Sequence, residues 1–212
     1  MISLFIDTSS FNLLVYLLKD DKVINFCKLE KIKSHSTLVL PEIKRRLNEA
    51  NIKINDIDNI YVVNGPGSFT GLRIGVTIAK IIGYTLNKRV IPISSLELLA
   101  TTAFNTDYII PVIDARRGYV YAGVYDKNLN NILKDQYISL NDLFSKLDDD
   151  RTYTFVSYDD MLNIENLIKP NEDVSKLINK HQNDSQINIH NVNPNYLKRT
   201  EAEEKLKNDK IC

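Results

Sequence analysis

Tryptophan is absent from the 212 residues and cysteine is nearly so: Cys27 sits in an apolar, strand-like run and Cys212 is the last residue. Two such thiols with no CxxC spacing make neither a disulfide framework nor a paired-cysteine metal site, so a reducing, cytoplasmic setting is expected. An excess of either charge is lacking too. Lys plus Arg number 27 and Asp plus Glu number 27, so bulk electrostatics gives no independent grip on a nucleic-acid backbone. Histidine is scarce. His35, His181 and His190 are the only three, and no two stand three or four positions apart, as a helical metal site needs. No long apolar run occurs either. The longest stretch, Leu72 to Leu86, holds Arg73 and Lys80 and is too short and charged to make a good membrane span. The apolar start is broken at Asp7 with no basic segment before it, so it does not read as a signal peptide. What remains is 43% hydrophobic, enough for a core in one domain or two small lobes.

Ile2–Ile6, Leu13–Leu18 and Val23–Leu29 read as three strands of an antiparallel meander, with Asp20-Asp21 as a turn. Leu40, Ile43, Leu47 and Ala50 recur at helical spacing between Leu38 and Ala50. Ser34 or Thr37 is the expected cap, and Pro41 fits the first turn, where its missing N–H costs nothing. A strand, Ile60–Val63, a helix, Phe69–Leu86, and a strand, Val90–Ile93, follow. Ser94 or Ser95 then caps a third helix that carries Glu97 near its start. This order is similar to the ribonuclease H-like lobe of the actin, hexokinase and sugar-kinase superfamily. Tyr108–Asp114, Tyr119–Asp126, Asn131–Ser139 and Tyr153–Val156 read as further strands, with a helix at Leu140–Leu147. They echo the first half on a smaller scale. Residues 163–195, rich in Asn, Lys, Asp and Ile, do not divide into elements, and Ala202–Lys207 favours helix.

The sharpest local signal is Gly65-Pro66-Gly67-Ser68-Phe69-Thr70-Gly71-Leu72-Arg73-Ile74-Gly75. It joins a strand to a helix, where phosphate loops sit. It has no closing Gly-Lys-Ser/Thr, and its third glycine falls one residue late for GxGxxG. By itself it is a tight strand-to-helix turn. Beyond it, Gly71, Gly75, Ala79 and Gly83 repeat every four residues, a strip of small side chains on one helix face. Mid-helix glycines cost up to about 1 kcal/mol each relative to alanine. Such a strip lets a neighbour approach closely, either the chain's own sheet or a second protein.

The glycine string resembles the signature of the TsaB family and, more loosely, that of its catalytic relative TsaD. Asp7-Thr8-Ser9 after the first strand is similar in both. Ser34-His35-Ser36 with Leu40-Pro41, Pro92-Ile93-Ser94-Ser95-Leu96, Ile113-Asp114-Ala115-Arg116-Arg117-Gly118-Tyr119-Val120-Tyr121 and Pro194-Asn195-Tyr196-Leu197-Lys198-Arg199 also resemble TsaB segments. Nearly the whole chain is covered. The metal-binding His-x-x-x-His pair of TsaD would fall at Ser95-Leu96-Glu97-Leu98-Leu99, where leucine cannot ligate a metal and a hydroxyl replaces imidazole poorly.

The resemblance implies an α/β fold of two ribonuclease H-like lobes of the actin/hexokinase/sugar-kinase superfamily, the second reduced. They would divide at 1–104 and 105–212, with the last helix returning to the first lobe. It implies a non-catalytic subunit that pairs with a TsaD-like catalytic subunit and a TsaE-like ATPase, forms a homodimer when alone, and meets tRNA only through the complex. No catalytic residue, metal or cofactor is expected on this chain; ATP and a metal belong to the partner subunits. The expected partner interface is His35, Leu40, Ile43 and Leu47 on the first helix, with Phe69, Gly71, Arg73, Gly75, Ala79 and Gly83 on the second. Asp7, Thr8, Ser9, Asp114 and Arg116 mark a vestigial nucleotide cleft. Carboxylates there suit magnesium in catalytic relatives, but each Asp also suits a turn brace. Phe155-Val156-Ser157-Tyr158-Asp159-Asp160 lacks the glycine that the adenosine side needs for close backbone approach. The other basic residues, Arg45, Arg46, Arg117, Lys198 and Arg199, read mostly as solvated surface. The rival reading is an autonomous metal- or ATP-dependent enzyme, a TsaD-like transferase or a small kinase.

Overall fold

A computed structural model describes residues 1–160, 164–185 and 187–198. Strands β1 (Ile2–Asp7), β2 (Leu13–Lys19) and β3 (Lys22–Leu29) form the antiparallel meander, turned by left-handed Asp20 and Asp21. Helix α1 (His35–Glu49), β4 (Asn59–Gly65), α2 (Phe69–Leu86), β5 (Arg89–Ser94) and α3 (Ser95–Ala100) follow. The first sheet runs β3-β2-β1-β4-β5, with β4 parallel to both β1 and β5.

The second half repeats this plan. β6 (Tyr108–Asp114), β7 (Tyr119–Tyr125) and β8 (Asn131–Ser139) form a meander, then come α4 (Leu140–Ser145), β9 (Tyr153–Val156) and β10 (Leu167–Ile168). The sheet order β10-β9-β6-β7-β8 is the first sheet's order over again. The reduction is visible in α4, six residues long, and β10, two.

Alternation along the strands sorts the first sheet's side chains between two cores. Leu4, Ile6, Val15, Ile60 and Val62 pack under α1 and α2 with Val39, Ile43, Leu47, Val76 and Ala79. Phe5, Leu14, Tyr16, Tyr61 and Val63 face the other way. They meet α3, α5 (Val174–His181) and residues of the second lobe, Ile109, Tyr125 and Val156. All six residues of α3 are buried. A helix enclosed on every side carries apolar residues all round, which explains Leu96, Leu98 and Leu99.

Some expectations need correction. Helix α1 begins at His35, so Pro41 lies in its second turn. Thr37 and Pro41 both face solvent, where water can serve the carbonyl that proline leaves without a donor. Ser34 occupies the capping position without making a side-chain cap, and the Thr37 hydroxyl bonds back to the Ser34 carbonyl. Residues 163–195 do contain elements: β10 and α5, the latter capped by Asp173, whose carboxylate accepts the Lys176 N–H at 3.0 Å. The expected helix at Ala202–Lys207 and the residue Arg199 lie outside the described residues. Among the described residues no helix is long and apolar enough to cross a membrane.

Candidate functional site

Helix α2 has two faces with the same four-residue period. Phe69, Arg73, Thr77 and Ile81 point outward; Gly71, Gly75, Ala79 and Gly83 are buried. Two residues of offset turn a helix by about 200°, so the strips lie on opposite sides. The small strip faces this chain's own first lobe, which corrects its expected place in a partner interface. A Cβ on Gly71 would collide with the Thr8 carbonyl, one on Gly75 with the Thr8 hydroxyl, and one on Gly83 with Val90. Ala79 is fully buried. Ile43 and Leu47 of α1 are likewise core residues, because they share the helix face of Val39 that lies on the sheet.

The start of α2 is tied to the end of β1. The Thr8 hydroxyl donates to the Gly71 carbonyl at 2.7 Å. The Ser68 N–H donates to the Ser9 carbonyl at 2.7 Å, and the Ser68 hydroxyl caps the helix by accepting from Gly71 N–H at 3.2 Å. The glycine string is thus used for close packing of helix on strand end.

Of the expected interface residues, Leu40 is 53% and Phe69 51% exposed. Arg73 is exposed too, its guanidinium 3.9 Å from the Phe69 ring centroid and its Nε donating to the Tyr196 hydroxyl at 2.9 Å. Two further apolar side chains, Ile81 at 59% and Tyr84 at 70%, extend this exposed face of α2. The sequence carried a signal for Ile81, the period from Phe69 through Arg73 and Thr77, whereas Tyr84 stands one residue off that period. His35 is part-buried instead, with Nε2 3.0 Å from the Asn12 carbonyl at the first turn of α1.

Between the lobes lies a cleft of about 740 Å³, lined by Asp7, Ser9 and His35 on one side and Asp114, Arg116 and Tyr121 on the other. The expected cleft residues therefore converge, except Thr8, which is turned under α2. Each Asp braces its own turn: Asp7 Oδ1 accepts from Ser9 N–H at 2.7 Å, and Asp114 Oδ1 from Arg116 N–H at 2.7 Å. Burial pushes the Asp7 carboxyl up to about 6, against the Ser9 hydrogen bonds and with help from the Glu172 charge. Phe11 and Tyr158 also line the cleft, packed edge-on with ring centroids 5.6 Å apart. Among the described residues, no three His, Cys, Asp or Glu side chains converge as a metal-ligand set.

On α3, Glu97 is held in the core. It accepts from Lys180 Nζ at 2.5 Å and lies 3.0 Å from His181 Nε2. Burial pushes its carboxyl up, but these partners outweigh that and hold it below the usual range. Close by, Asp135 of β8 accepts from the Ser94 and Tyr125 hydroxyls, each at 2.5 Å, and so links the two lobes. Sequence reading missed this cluster, since its members come from β5, α3, β7, β8 and α5.

Two lobes of one topology facing a common cleft make this an α/β protein of the actin/hexokinase/sugar-kinase superfamily. A family model described as "TsaD: tRNA N6-adenosine threonylcarbamoyltransferase" matches residues 30–186. The chain is 35% identical to the "tRNA threonylcarbamoyladenosine biosynthesis protein TsaB" of Bacillus subtilis over 97% of each chain. It is 32% identical to the Escherichia coli protein of that name over 47% of this chain and 45% of that one. "YeaZ from Pseudomonas aeruginosa" shares the fold, with a TM-score of 0.75 over 92% of this chain and all of that one at 20% identity. The chain belongs to the TsaB family.

Proposed function

We propose that the chain acts in the biosynthesis of threonylcarbamoyladenosine in tRNA, as a supporting subunit that makes no bonds itself. It pairs with a TsaD-like catalytic subunit and holds it in the active arrangement. A TsaE-like ATPase joins the pair, and ATP and a metal reside in those partners. The tRNA is engaged by the assembly. In the partner's absence the same face joins two copies of this chain. The setting is the cytoplasm.

One observation carries this reading: Leu40, Phe69, Ile81 and Tyr84 are all more than half exposed on the adjacent helices α1 and α2. Large apolar side chains left exposed on neighbouring helices suit a protein contact. The core placement of Ser95 and Leu99, where the TsaD histidine pair would fall, supports a non-catalytic part. A partner bound more tightly in its active form than in its inactive form is shifted toward the active form.

The test is reconstitution. The purified chain, given threonylcarbamoyl adenylate and unmodified tRNA, should yield no modified adenosine. Adding the TsaD-like subunit should produce it, and the TsaE-like ATPase should support repeated turnover. Product from the chain alone, or a stoichiometric zinc or iron ion in it, would overturn this reading.

A further inference from the structure

The β6–β7 turn carries an unusual pair. Arg116 and Arg117 both adopt left-handed backbone, φ 67° and 56°, followed by Gly118 at 76°. The Ala115 N–H donates to the Tyr119 carbonyl at 2.9 Å and closes the hairpin. Two-residue hairpin turns with positive φ favour Asn-Gly, because a larger side chain is disfavoured there. Here the Tyr119 N–H donates to the Arg116 carbonyl at 3.1 Å, so the central pair is Arg117-Gly118, with a second left-handed arginine, Arg116, just before it; both arginines are exposed. Nothing lies within 4 Å of a Cβ built on Gly118, so that corner of the turn stands clear of the rest of the molecule.

Beside this turn lies a row of aromatic rings. Tyr119, Tyr121 and Tyr125 alternate along β7 on the face toward the first lobe. Tyr137 of β8, opposite Tyr121, stacks on Tyr119 with ring centroids 4.8 Å apart and planes at 7°. Tyr119, at the outer end of the row, is 40% exposed. Lys198 sets its amine 5.1 Å from the Tyr137 centroid. Cross-strand pairing accounts for Tyr121 against Tyr137. It does not account for an exposed ring at the end of the stack, with two arginines just before it in the turn and a lysine over its stacking partner. The ion pairs of the described residues lie elsewhere. Asp114, the nearest acid along the turn, spends one oxygen on the Arg116 N–H.

We infer that this hairpin end is an RNA contact: Tyr119 stacks an unpaired base of the tRNA, and Arg116, Arg117 and Lys198 neutralise the adjoining phosphates. Flat rings beside cations suit single-stranded nucleotides, whose bases are free to stack. A paired helix hides those faces. With zero net charge overall, only a local cluster can supply the attraction. The inference rests on the proposed place of the chain in a tRNA-modifying assembly and gives this subunit a direct share in holding the substrate.

The test uses the full chain assembled with its TsaD-like partner, and an unmodified tRNA transcript. Replacing the arginines by Asn and Gly (R116N/R117G) removes two charges and puts at both left-handed positions residues that tolerate positive φ, so the melting temperature should hold or rise. Affinity for tRNA should fall about tenfold at 0.1 M salt, and the slope of log affinity against log salt should flatten by roughly 1–2. Tyr119→Ala should weaken tRNA binding about 5- to 150-fold, the loss of one stacked base, while Tyr119→Phe keeps it. Affinity between the two proteins should not change. Unaltered tRNA affinity and salt slope in R116N/R117G and Tyr119→Ala would overturn the inference. So would a loss of tRNA binding that follows weaker pairing of the proteins, because the hairpin would then be a protein contact. If the wild-type chain forms no assembly, the proposed function fails, and a single-stranded RNA oligonucleotide with the chain alone decides the surface. Salt-dependent binding lost in R116N/R117G supports the contact, and no binding by the wild type sinks it.

Discussion

The hydroxyl of Thr8 and the carbonyl of Gly71, 2.7 Å apart, fasten the first turn of α2 to the end of β1. Side chains on the inward strip of α2 would pry the two apart. The strip Gly71–Gly75–Ala79–Gly83 therefore belongs to the stability of the first lobe, and enlarging it tests the core before it tests any interface.

Ala79→Leu adds three carbons to a fully buried site. Overpacking of this kind costs about 1–3 kcal/mol, or roughly 2–12 °C of melting temperature in a chain of this size. The folded fraction should still associate normally. An unchanged melt with lost association would return the strip to the interface.

The outward strip should behave in the opposite way. Ile81→Asp and Tyr84→Asp change side chains that are 59% and 70% exposed. Surface substitutions usually shift stability by no more than about 0.5 kcal/mol. Each should leave the melt nearly unchanged and weaken pairing with a TsaD-like subunit, or with a second copy, by about tenfold or more. Titration by calorimetry reads the affinity directly, and full affinity in both variants would place the contact elsewhere.

Asp7 offers a pH test. Its carboxyl is raised by burial to about 6, from 3.8. A raised carboxyl contributes stability that is fully present below its unfolded value and is lost as pH rises through its folded value. Above pH 6 the fold thus carries a poorly solvated charge. Asp7→Asn removes that charge and keeps an oxygen for the Ser9 N–H. It should gain about 1–3 kcal/mol at pH 7.5 and nothing at pH 4. Urea unfolding at the two pH values checks this, and a loss at pH 7.5 would show that the charge itself is needed.

Glu97 should be the costliest polar side chain to alter. Its replacement by Gln leaves Lys180 and His181 short of a countercharge in a buried place, at about 2–4 kcal/mol. Glu97 is held below its ordinary 4.5, so its contribution is present above that value and fades in acid. Burial lowers the His181 pKa, but Glu97 and Asp184 outweigh this and raise it above 6.5. Its contribution is present below 6.5 and is lost as pH climbs through the raised value. The gap between wild type and Glu97→Gln should therefore peak between about pH 4.5 and 6.5, then narrow in base to what Lys180 sustains. A gap that stays level from pH 6.5 into base would mean that His181 takes no part.

Much of the fold was legible in order. Alternating apolar residues marked most of the strands, and their sequence of types implied two related lobes. The capping Ser94 and the Gly-Pro-Gly string located the starts of α3 and α2. Element β10 and helix α5 were not legible. A two-residue strand has no measurable period, and α5 sits in a stretch where Asn, Lys and Asp mask three buried apolar residues, Val174, Leu177 and Ile178.

For the site, the sequence by itself determined which residues could gather: Asp7 and Asp114 each end the first strand of a lobe, and matching topology brings such ends to one cleft. It also determined that α2 has a strip of small residues. Only the tertiary structure decided which way the strip faces. A row of missing side chains records that something comes close, and a turn of the same chain satisfies it as well as a helix of another. Phe69, Arg73, Thr77 and Ile81 repeat at the same interval as Gly71, Gly75, Ala79 and Gly83, so periodicity could not choose between them. Contact with Thr8, 63 residues away along the chain from Gly71, made the choice.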